Sequence, residues 1–390
     1  MEASTPFSNI PIEIIRLILL QLSVKSVIRC QSVCKQWLLL IEDSDFKLSY
    51  PGQRRVIFFL LEPKSRYYYG NSSRVDVRSA GYDLRLQRHK RPFGGAYSWI
   101  RASDKDCVRL CSCNGLVLVV TERDILLWNP STRCSTKVLE WPYPEQSKRV
   151  ILTGLCYDPC TRDYKAVLLL CSHPFVISVS LNRKEWRPVE FPYSLLCVGG
   201  GVDFRNTFHW WVSDIRYRDR DFSSGNRIVY FDPAHDEFRI LPTPKLRHGR
   251  ENSIVGLGVI DDCFCMACIV QVEEPKAKIK MIQVLIMKEY DRIESWMTAF
   301  SIQMPEHPDI YGSYGFTLTF YSLKKNAQEV LFLRKGKGVE CLYIYDRKKD
   351  ELKEVLLDFQ ALTFYRRDIA SMCFYVESLA CPGHNGLLSL

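Results

Sequence analysis

Three cysteines, Cys263, Cys265 and Cys268, come nearest to the spacing of metal ligands in this sequence. A structural zinc site usually takes two closely spaced pairs of thiolate or imidazole ligands. These cysteines have no second pair at such a spacing, and no histidine lies within ten residues of them. Because side chains alternate along a strand, Cys263 and Cys265 would share one face and Cys268 would lie on the other. We therefore predict buried thiols here, with neither a metal nor a cofactor.

The residues that could act as a general base or a nucleophile show no catalytic spacing. None of the seven histidines belongs to an H-x-H or H-E-x-x-H motif, and the sequence contains no G-x-S-x-G motif. The glycines at 199–201 lack the Lys-Ser/Thr ending of a phosphate-binding loop, and we predict that they form a connection. His209, which lies between two aromatic residues, is predicted to lie in the core. A dispersed Ser-His-Asp arrangement stays open, but the pattern favours a chain that is not an enzyme.

A basic stretch occupies residues 64–91, where eight Lys and Arg stand against only Asp76 and Asp83. Tyrosines are interspersed with these cations, so charge and stacking together could hold nucleic acid. The same stretch could be a long solvated loop, or a surface that attracts an acidic protein. We rank the solvated loop first, the acidic partner second and nucleic acid last.

The composition limits the class of protein. The chain has 390 residues, a formal net charge of +9 and 47% hydrophobic residues, which excludes wholesale disorder. No apolar run reaches the roughly 18 residues that a membrane helix needs, and residues 1–14 lack the basic region and cleavage site of a signal peptide. We therefore expect a cytoplasmic or nuclear protein without membrane contact, in which the 16 cysteines stay thiols.

Residues 8–46 have the pattern of a helical head. Apolar residues recur at helical spacing behind a start signal, which consists of Ser8 and Asn9 with Pro11 in the first turn. We predict three helices, of which the second is capped by Ser23. So short a segment buries little surface, yet it is apolar around most of its circumference. Part of its apolar surface is therefore expected to bind a partner.

From about residue 56 the pattern changes to short strands. One unit recurs: an apolar strand, a turn built on Asp or Asn and often Pro, and a second strand. Its copies, whose turns are 50 to 67 residues apart, lie at 57–69, 125–139, 179–191, 228–241, 288–300 and 342–356, with an extra copy at 155–169. This spacing predicts a β-propeller of about six blades, with a pair of β-sandwiches as the alternative. The packing between blades is predicted to include Trp128, Trp186, Trp210, Trp211 and Trp296.

The head resembles the F-box. The likeness rests on IP at 10–11, IL at 18–19, Leu22, VKSVIR at 24–29, VCKQW at 33–37, LI at 40–41 and DF at 45–46. Two positions differ from the usual pattern, because Ile10 replaces Leu and Ser23 replaces Pro. The motif is covered almost completely.

The remainder resembles the plant F-box-associated domain, a kelch-like propeller. The matching stretches are SCNGL at 112–116, WNPSTR at 128–133, GLCYD at 154–158, FHW at 208–210, IESW at 293–296 and YVESL at 375–379. Each is a weak signal alone, but their order along the chain is specific. The S-locus F-box proteins and the plant immune-restraint F-box proteins share this architecture.

The resemblance implies a mainly β protein with a short three-helix F-box followed by a kelch-like propeller. The predicted boundaries are 5–50 for the F-box, 51–382 for the propeller and 383–390 for a tail. The implied function is that of a non-catalytic receptor in a Skp–cullin–F-box ubiquitin ligase. In that complex the F-box docks on a Skp-family adaptor, which leads to a cullin–RING ligase. A scaffold that delivers nothing for degradation and, less favoured, a propeller enzyme are the alternatives.

The resemblance also implies the adaptor contacts. By motif position, these are Ile10, Pro11, Ile14, Ile18, Leu22, Val24, Val27, Val33 and Trp37. Some of these must instead form the head's own core, and the sequence does not divide the two groups. The predicted contacts to a target protein come from positions in predicted loops and are Arg66, Tyr68, Arg88, Arg91 and Tyr217. An acidic target is the second-ranked interpretation of the basic stretch.

Overall fold

The computed structural model describes residues 10–62, 72–81, 86–89, 92, 99–101, 108–121, 124–140, 150–170, 176–191, 198–213, 226–244, 253–274, 277–303, 317–322, 328–335, 340–355 and 368–382. Among the described residues, helices occupy the start of the chain and strands most of the rest. None of the helices in the described ranges has the length and apolar character needed to cross a membrane.

The head contains four short helices. They are α1 (Ile12–Leu20), α2 (Val24–Cys30), α3 (Lys35–Glu42) and α4 (Ser44–Ser49). Ser23 caps α2 as predicted, because its hydroxyl accepts a hydrogen bond from the amide of Ser26 at 3.4 Å. The prediction of three helices is wrong. Asp43 breaks the pattern and caps α4, since its carboxylate accepts from the amide of Phe46 at 3.0 Å.

The core of the head is completed by the other end of the chain. Its buried side chains are Ile15, Leu19, Val24, Val27, Ile41, Phe46 and Leu379. The first six come from the helices, whereas Leu379 follows the last strand of the molecule. In addition, the hydroxyl of Tyr50 donates to the carbonyl of Leu22 at 2.7 Å. The head is therefore packed as part of a larger body.

The described strands form five sheets in a propeller-like arrangement, of which one has eight strands. We divide that sheet at the parallel pair formed by Ser253–Ile260 and Thr317–Ser322, and we call each of the six resulting antiparallel groups a blade. Blade 1 contains β1 (Arg54–Glu62), β2 (Ser72–Ala80), β3 (Leu86–His89), β4 (Trp99–Arg101) and β25 (Asp368–Val376); blade 2 contains β5 (Arg109–Cys113), β6 (Leu116–Val120), β7 (Asp124–Trp128) and β8 (Ser135–Glu140); blade 3 contains β9 (Val150–Asp158), β10 (Asp163–Leu170), β11 (Val176–Ser180) and β12 (Glu185–Val189). Blade 4 contains β13 (Val198–Phe204), β14 (Thr207–Ser213), β15 (Asn226–Asp232) and β16 (Glu237–Leu241); blade 5 contains β17 (Ser253–Ile260), β18 (Cys263–Glu274), β19 (Ala277–Met287) and β20 (Trp296–Ile302); blade 6 contains β21 (Thr317–Ser322), β22 (Glu329–Lys335), β23 (Glu340–Asp346) and β24 (Glu351–Glu354).

Blade 1 joins the two ends of the chain. Its inner strand is β25, which pairs antiparallel with β1, so that Arg54 lies opposite Val376 and Phe58 opposite Met372. The other inner strands are β5, β9, β13, β17 and β21, and β17 pairs in parallel with β21. The ring of blades is thus closed by a strand from the C-terminal end of the chain.

Turn chemistry explains why the predicted hairpins form. The side chain of Asn129 accepts from the amide of Ser131 at 2.8 Å, and that of Asp232 accepts from the amide of Ala234 at 3.0 Å. These are the Asx turns that Asp and Asn favour at the start of a turn. In addition, the turn between β15 and β16 ends with Asp236 in the left-handed region, at φ 53°. The local prediction of these hairpins is confirmed.

Packing between blades uses the aromatic residues that the sequence indicates. Trp128 is 1% exposed and lies in a cluster shared by blades 1 and 2, with its ring centroid 6.2 Å from that of Phe59. Trp210 lies in the cluster shared by blades 2, 3 and 4, and Trp186 packs against it. The other two predicted tryptophans pack against the cluster that includes blades 4, 5, 6 and 1.

Two of the local predictions are wrong. The stretch 64–91 is not one long loop, because it contains β2 and β3, and Val75 and Val77 are fully buried. The glycines at 199–201 lie within β13 and do not connect elements. Gly201 packs so closely on Phe208 that an added Cβ would lie 2.2 Å from the aromatic ring, which explains the need for a small residue there.

Four inner strands meet at the side chain of Asp203. Its carboxylate accepts from the Tyr321 hydroxyl at 3.0 Å, and the Ser112 hydroxyl lies 3.4 Å from the same oxygen. Ser112 also donates to the carbonyl of Phe374 at 2.6 Å. Burial raises the pKa of Asp203, and the nearby Arg54 guanidinium acts against that rise. This polar cluster ties together β5, β13, β21 and β25.

His209 lies in the interface between blades 4 and 5, as a core histidine. It is fully buried, and its Nε2 is 2.7 Å from the hydroxyl of Tyr290. Rings of Tyr230 and Phe264 pack against it, with centroid distances of 5.3 and 4.7 Å. Burial lowers the pKa of His209 from 6.5 to about 3. The imidazole is therefore neutral in the folded protein at neutral pH.

This pKa predicts acid sensitivity. A histidine whose pKa is depressed by folding stabilises the fold above pH 6.5, and that stabilisation is lost as the pH falls toward about 3. The free energy of unfolding should therefore fall with decreasing pH by up to about 1.4 kcal/mol per pH unit from this residue. In His209→Gln the slope, measured by urea unfolding from pH 6.5 to 4, should be smaller. Equal slopes in wild type and His209→Gln would contradict the prediction.

Candidate protein-interaction surfaces

The head has an apolar surface that its own core does not use. Six large side chains are exposed there: Ile10 by 36%, Ile14 by 46%, Leu17 by 58%, Ile18 by 50%, Val33 by 56% and Leu39 by 60%. We call this set the apolar head face. Large apolar groups gathered in so small a domain indicate a surface for another protein.

The structure divides the predicted adaptor contacts into three groups. Ile10, Pro11, Ile14, Ile18 and Val33 are exposed, whereas Leu22 and Trp37 are half-buried against the core of the head. Val24 and Val27 are 4% and 0% exposed, so they pack inside the head and are not available to a partner. For these two valines the predicted contact is corrected to a core role, because α2 turns them toward α1, α3 and Leu379.

Sequence reasoning missed Leu17 and Leu39. Leu17 follows Ile14 by three residues and so lies beside it on α1, on the surface that the core leaves free. The signal was the excess of apolar residues around α1, of which only Ile15 and Leu19 are buried. Leu39 lies in α3, where Ile41 is the buried residue. Its neighbours in sequence are also apolar, so the sequence alone does not show that Leu39 faces away from the core of the head.

The junction between head and propeller is tightly packed. The amide of Glu377 donates to the carbonyl of Gln53 at 2.9 Å, and its carboxylate lies 3.5 Å from Nη1 of Arg55. A Cβ added at Gly52 would lie 1.6 Å from the Glu377 carbonyl oxygen, so this approach requires glycine. The Asn129 amide group also donates to the carbonyl of Ala380 at 2.6 Å. These contacts fix the head on the end of β25.

The propeller has two distinct faces. The head lies at the face where β1 begins and β25 ends, and we call this the head-side face. The same face carries the turns that join the first strand of a blade to the second and the third to the fourth, counted from the inner strand: the Tyr157 amide donates to the Asn206 carbonyl at 2.7 Å, and Arg347 pairs with Asp261 at 2.9 Å. Because strands alternate in direction, the outer strand of a blade ends, and the inner strand of the next blade begins, at the opposite face. We call that the far face.

The predicted target contacts are described only in part. Arg88 lies on β3 with its side chain 66% exposed, and its Nε pairs with Asp76 at 3.1 Å. Asp76 also pairs with Arg78 at 2.9 Å, so this buried carboxylate holds two of the cations of the basic stretch. The other predicted contacts, Arg66, Tyr68, Arg91 and Tyr217, lie outside the described residues.

One group of side chains in the described ranges has the composition of a metal site. Asp232, His235 and Glu237 lie on the turn between β15 and β16, with their ligand atoms within 4.8 Å of one another. Arg239 occupies this cluster, because its guanidinium pairs with Asp232 at 2.9 Å and with Glu237 at 2.8 Å. A metal ion would have to displace that cation, so the donors do not fit a metal centre.

The cysteines at 263–268 also do not form a ligand set. Cys265 packs in the cluster between blades 5 and 6, with Cys263 against it, while Cys268 lies in the cluster on the other side of the sheet. This is the division of faces that the sequence predicts. Burial raises the pKa of Cys268 to about 12, which keeps it a thiol.

A polar groove lies between blades 3 and 4, with about 360 Å³ of open space. Its charged groups bind one another: Lys165 pairs with Asp236 at 2.8 Å, and Ser178 donates to the same carboxylate at 3.1 Å. Arg187 lies 3.6 Å from the second oxygen of Asp236. This mutual pairing gives the groove a structural role in holding the two blades together.

Comparison with known proteins matches both parts of the chain. Residues 7–49 match the F-box domain, and residues 73–381 match the family described as F-box associated beta propeller domain. The chain is 27% identical to F-box protein CPR1 of Arabidopsis thaliana, over 87% of this chain and 85% of that protein. It is 26% identical to F-box/kelch-repeat protein At3g23880 of the same plant, over 75% of this chain and 79% of that protein.

Proposed function

This chain belongs to the family of F-box proteins with an F-box-associated β-propeller domain, and we propose that it is the substrate-recognition subunit of a Skp–cullin–F-box ubiquitin ligase. The head binds a Skp-family adaptor, which connects it to a cullin–RING ligase. The propeller binds the protein that is to be ubiquitinated. The chain acts in the cytosol or the nucleus.

The apolar head face is the observation that carries the proposal. Its six side chains are 36–60% exposed although the core of the head is already complete. Complete burial of a large apolar side chain contributes about 1.5–3 kcal/mol, and covering one that is half exposed contributes roughly half of that. An adaptor that covers this face would therefore gain much of its binding energy from residues that have no other role in the fold.

The two faces of the propeller support separate sites for the adaptor and for the target protein. The head occupies the head-side face, so the far face is the one left for a target protein. In propellers the loops of one face vary with the partner, while the strands hold them in place. A net charge of +9 and the cations of 64–91 favour an acidic target.

The proposal asks no covalent chemistry of this chain. Ubiquitin would be transferred from a thioester on another protein of the complex, and this subunit would raise the effective concentration of the target lysine. The firm junction at Gly52 and Glu377 suits that role, because a fixed head holds the bound target at a defined distance from the ligase.

The test separates a ligase receptor from a mere scaffold. Proteins that bind the propeller are compared between cells that express the wild type and cells that express a variant with Ile14→Asp and Ile18→Asp, at two exposed positions of the head. For a receptor, at least one bound protein should accumulate several-fold in cells with this variant, and its ubiquitination should fall. A scaffold would leave the abundance of every bound protein unchanged, and that result would overturn the proposal.

A further inference from the structure

Two cysteines from distant parts of the sequence meet at the head-side face. The side chains of Cys381 and Cys134 are neighbours, and both residues are partly exposed. The backbone holds them there independently: the Asn129 amide donates to the Cys134 carbonyl at 2.9 Å, and its side chain donates to the carbonyl of Ala380, the neighbour of Cys381. Lys47 of α4 is near enough to act on Cys381 electrostatically. The pair thus lies where blade 2, the C-terminal segment and the head come together.

Six of the eleven other thiols in the described residues are buried: Cys111, Cys113, Cys156, Cys265, Cys268 and Cys341. An oxidant has to reach a thiol before it can react with it. Cys134 and Cys381 are both partly exposed. Burial and the neighbouring Cys134 raise the pKa of Cys381 to about 12, so Cys134 is the thiol that attacks the oxidant first. Oxidation of Cys134 then places Cys381 in position to attack its sulfur.

We propose that Cys134 and Cys381 form a reversible disulfide when the protein meets hydrogen peroxide. One thiolate attacks the peroxide, becomes a sulfenic acid and releases water. The second thiolate then attacks that sulfur, the S–S bond forms and a second water leaves. In sum, two thiols and one peroxide give one disulfide and two waters. A dithiol reductant returns both thiols by exchange.

The bond would lock the junction between head and propeller. In the reduced protein the segment after β25 is held by hydrogen bonds and by Leu379 in the core of the head. A covalent link from Cys381 to the turn of blade 2 would prevent this segment from opening. Oxidation is therefore expected to stiffen the connection between the two parts of the molecule. This inference does not depend on the proposed function.

The first test maps cysteines in the full-length protein after peroxide treatment, by alkylation and peptide mass spectrometry. We expect a Cys134–Cys381 cross-linked peptide, lighter than the two reduced peptides by two hydrogen atoms and lost on treatment with dithiothreitol. Cys134→Ser and Cys381→Ser should each abolish it, whereas Cys160→Ser, which removes an exposed thiol on blade 3, should retain it. If both cysteines are still alkylated after oxidation, or if Cys134 stops at a sulfinic acid, the proposal fails.

The second test measures the lock by amide hydrogen exchange. Exchange at residues 377–381 should slow by about tenfold or more in the oxidised wild type and stay unchanged in peroxide-treated Cys134→Ser. The wild-type mapping needs no variant, so a misfolded mutant cannot obscure the result. A cross-link that leaves exchange at these residues unaltered would disprove the locking role.

Discussion

Replacement of both Ile14 and Ile18 by aspartate is expected to abolish the complex with a Skp-family adaptor while the chain stays folded. The two side chains are 46% and 50% exposed, so the head loses little packing of its own. In the complex each would lose roughly 2 kcal/mol, a typical value for a central contact residue. Since 1.4 kcal/mol corresponds to a tenfold change, the dissociation constant should rise by about three orders of magnitude. Titration calorimetry with purified adaptor measures this change.

The propeller offers a matched control. Ile240 on β16 and Met297 on β20 are also 46% and 50% exposed, but they lie away from the head. Ile240→Asp with Met297→Asp makes the same change of charge at the same exposure and should leave adaptor affinity within about twofold of wild type. If the head variant binds as tightly as the wild type, the apolar head face is not the adaptor site.

A chain that ends at Val355 is expected not to fold. It lacks β25, the inner strand of blade 1, and the segment that follows it. The deletion removes the buried side chains of Phe374, Tyr375 and Leu379 and uncovers their neighbours on β1. At about 1.5–3 kcal/mol for each large buried side chain, the loss approaches the whole stability of a typical domain, about 5–15 kcal/mol. Thermal unfolding followed by circular dichroism should show no cooperative transition.

Shortening the chain at Pro382 instead keeps β25, Leu379 and the contacts of Asn129. This control should retain a cooperative transition with a midpoint near that of the full chain. A cooperative transition in the chain that ends at Val355 would mean that blade 1 closes without its inner strand.

Local chemistry made part of this fold predictable. Asn129 and Asp232 bind the amides two residues ahead of them, and that preference is visible in a few neighbouring residues. The pairing of β1 with β25 has no such signal, because no local feature of Arg54 or Val376 indicates a partner at the opposite end of the chain. Hairpins were therefore predicted and ring closure was not.

The basic stretch shows how a strong composition can conceal a periodicity. Residues 74–78 alternate charged and apolar side chains, which is the pattern of a half-buried strand. Val75 and Val77 face the core, while Arg78 and Arg88 pair with Asp76 at the edge of the blade. The density of cations favoured a solvated loop, but the alternation of charged and apolar residues correctly indicates a strand.

The structure was needed to divide the residues of the head into core residues and contact residues. Val27 and Ile18 are both aliphatic and both match the F-box pattern, yet one is fully buried and the other half exposed. The difference arises because Leu379 and Phe46 pack against the first and nothing in the described chain covers the second. A partner surface is defined by what the rest of the fold leaves uncovered, which is not a property of the sequence around it.

Because β25 completes blade 1, this blade cannot finish folding in the cell until β25 has been synthesised. About 300 residues separate the end of β1 from the start of β25. At about 5–20 residues per second, a ribosome needs roughly 15–60 s to make them. Throughout that time β1 exposes an unpaired edge and the apolar side chains of Ile57, Phe58 and Phe59. The nascent chain is therefore expected to depend on chaperones, and the ring can close only after β25 has been synthesised.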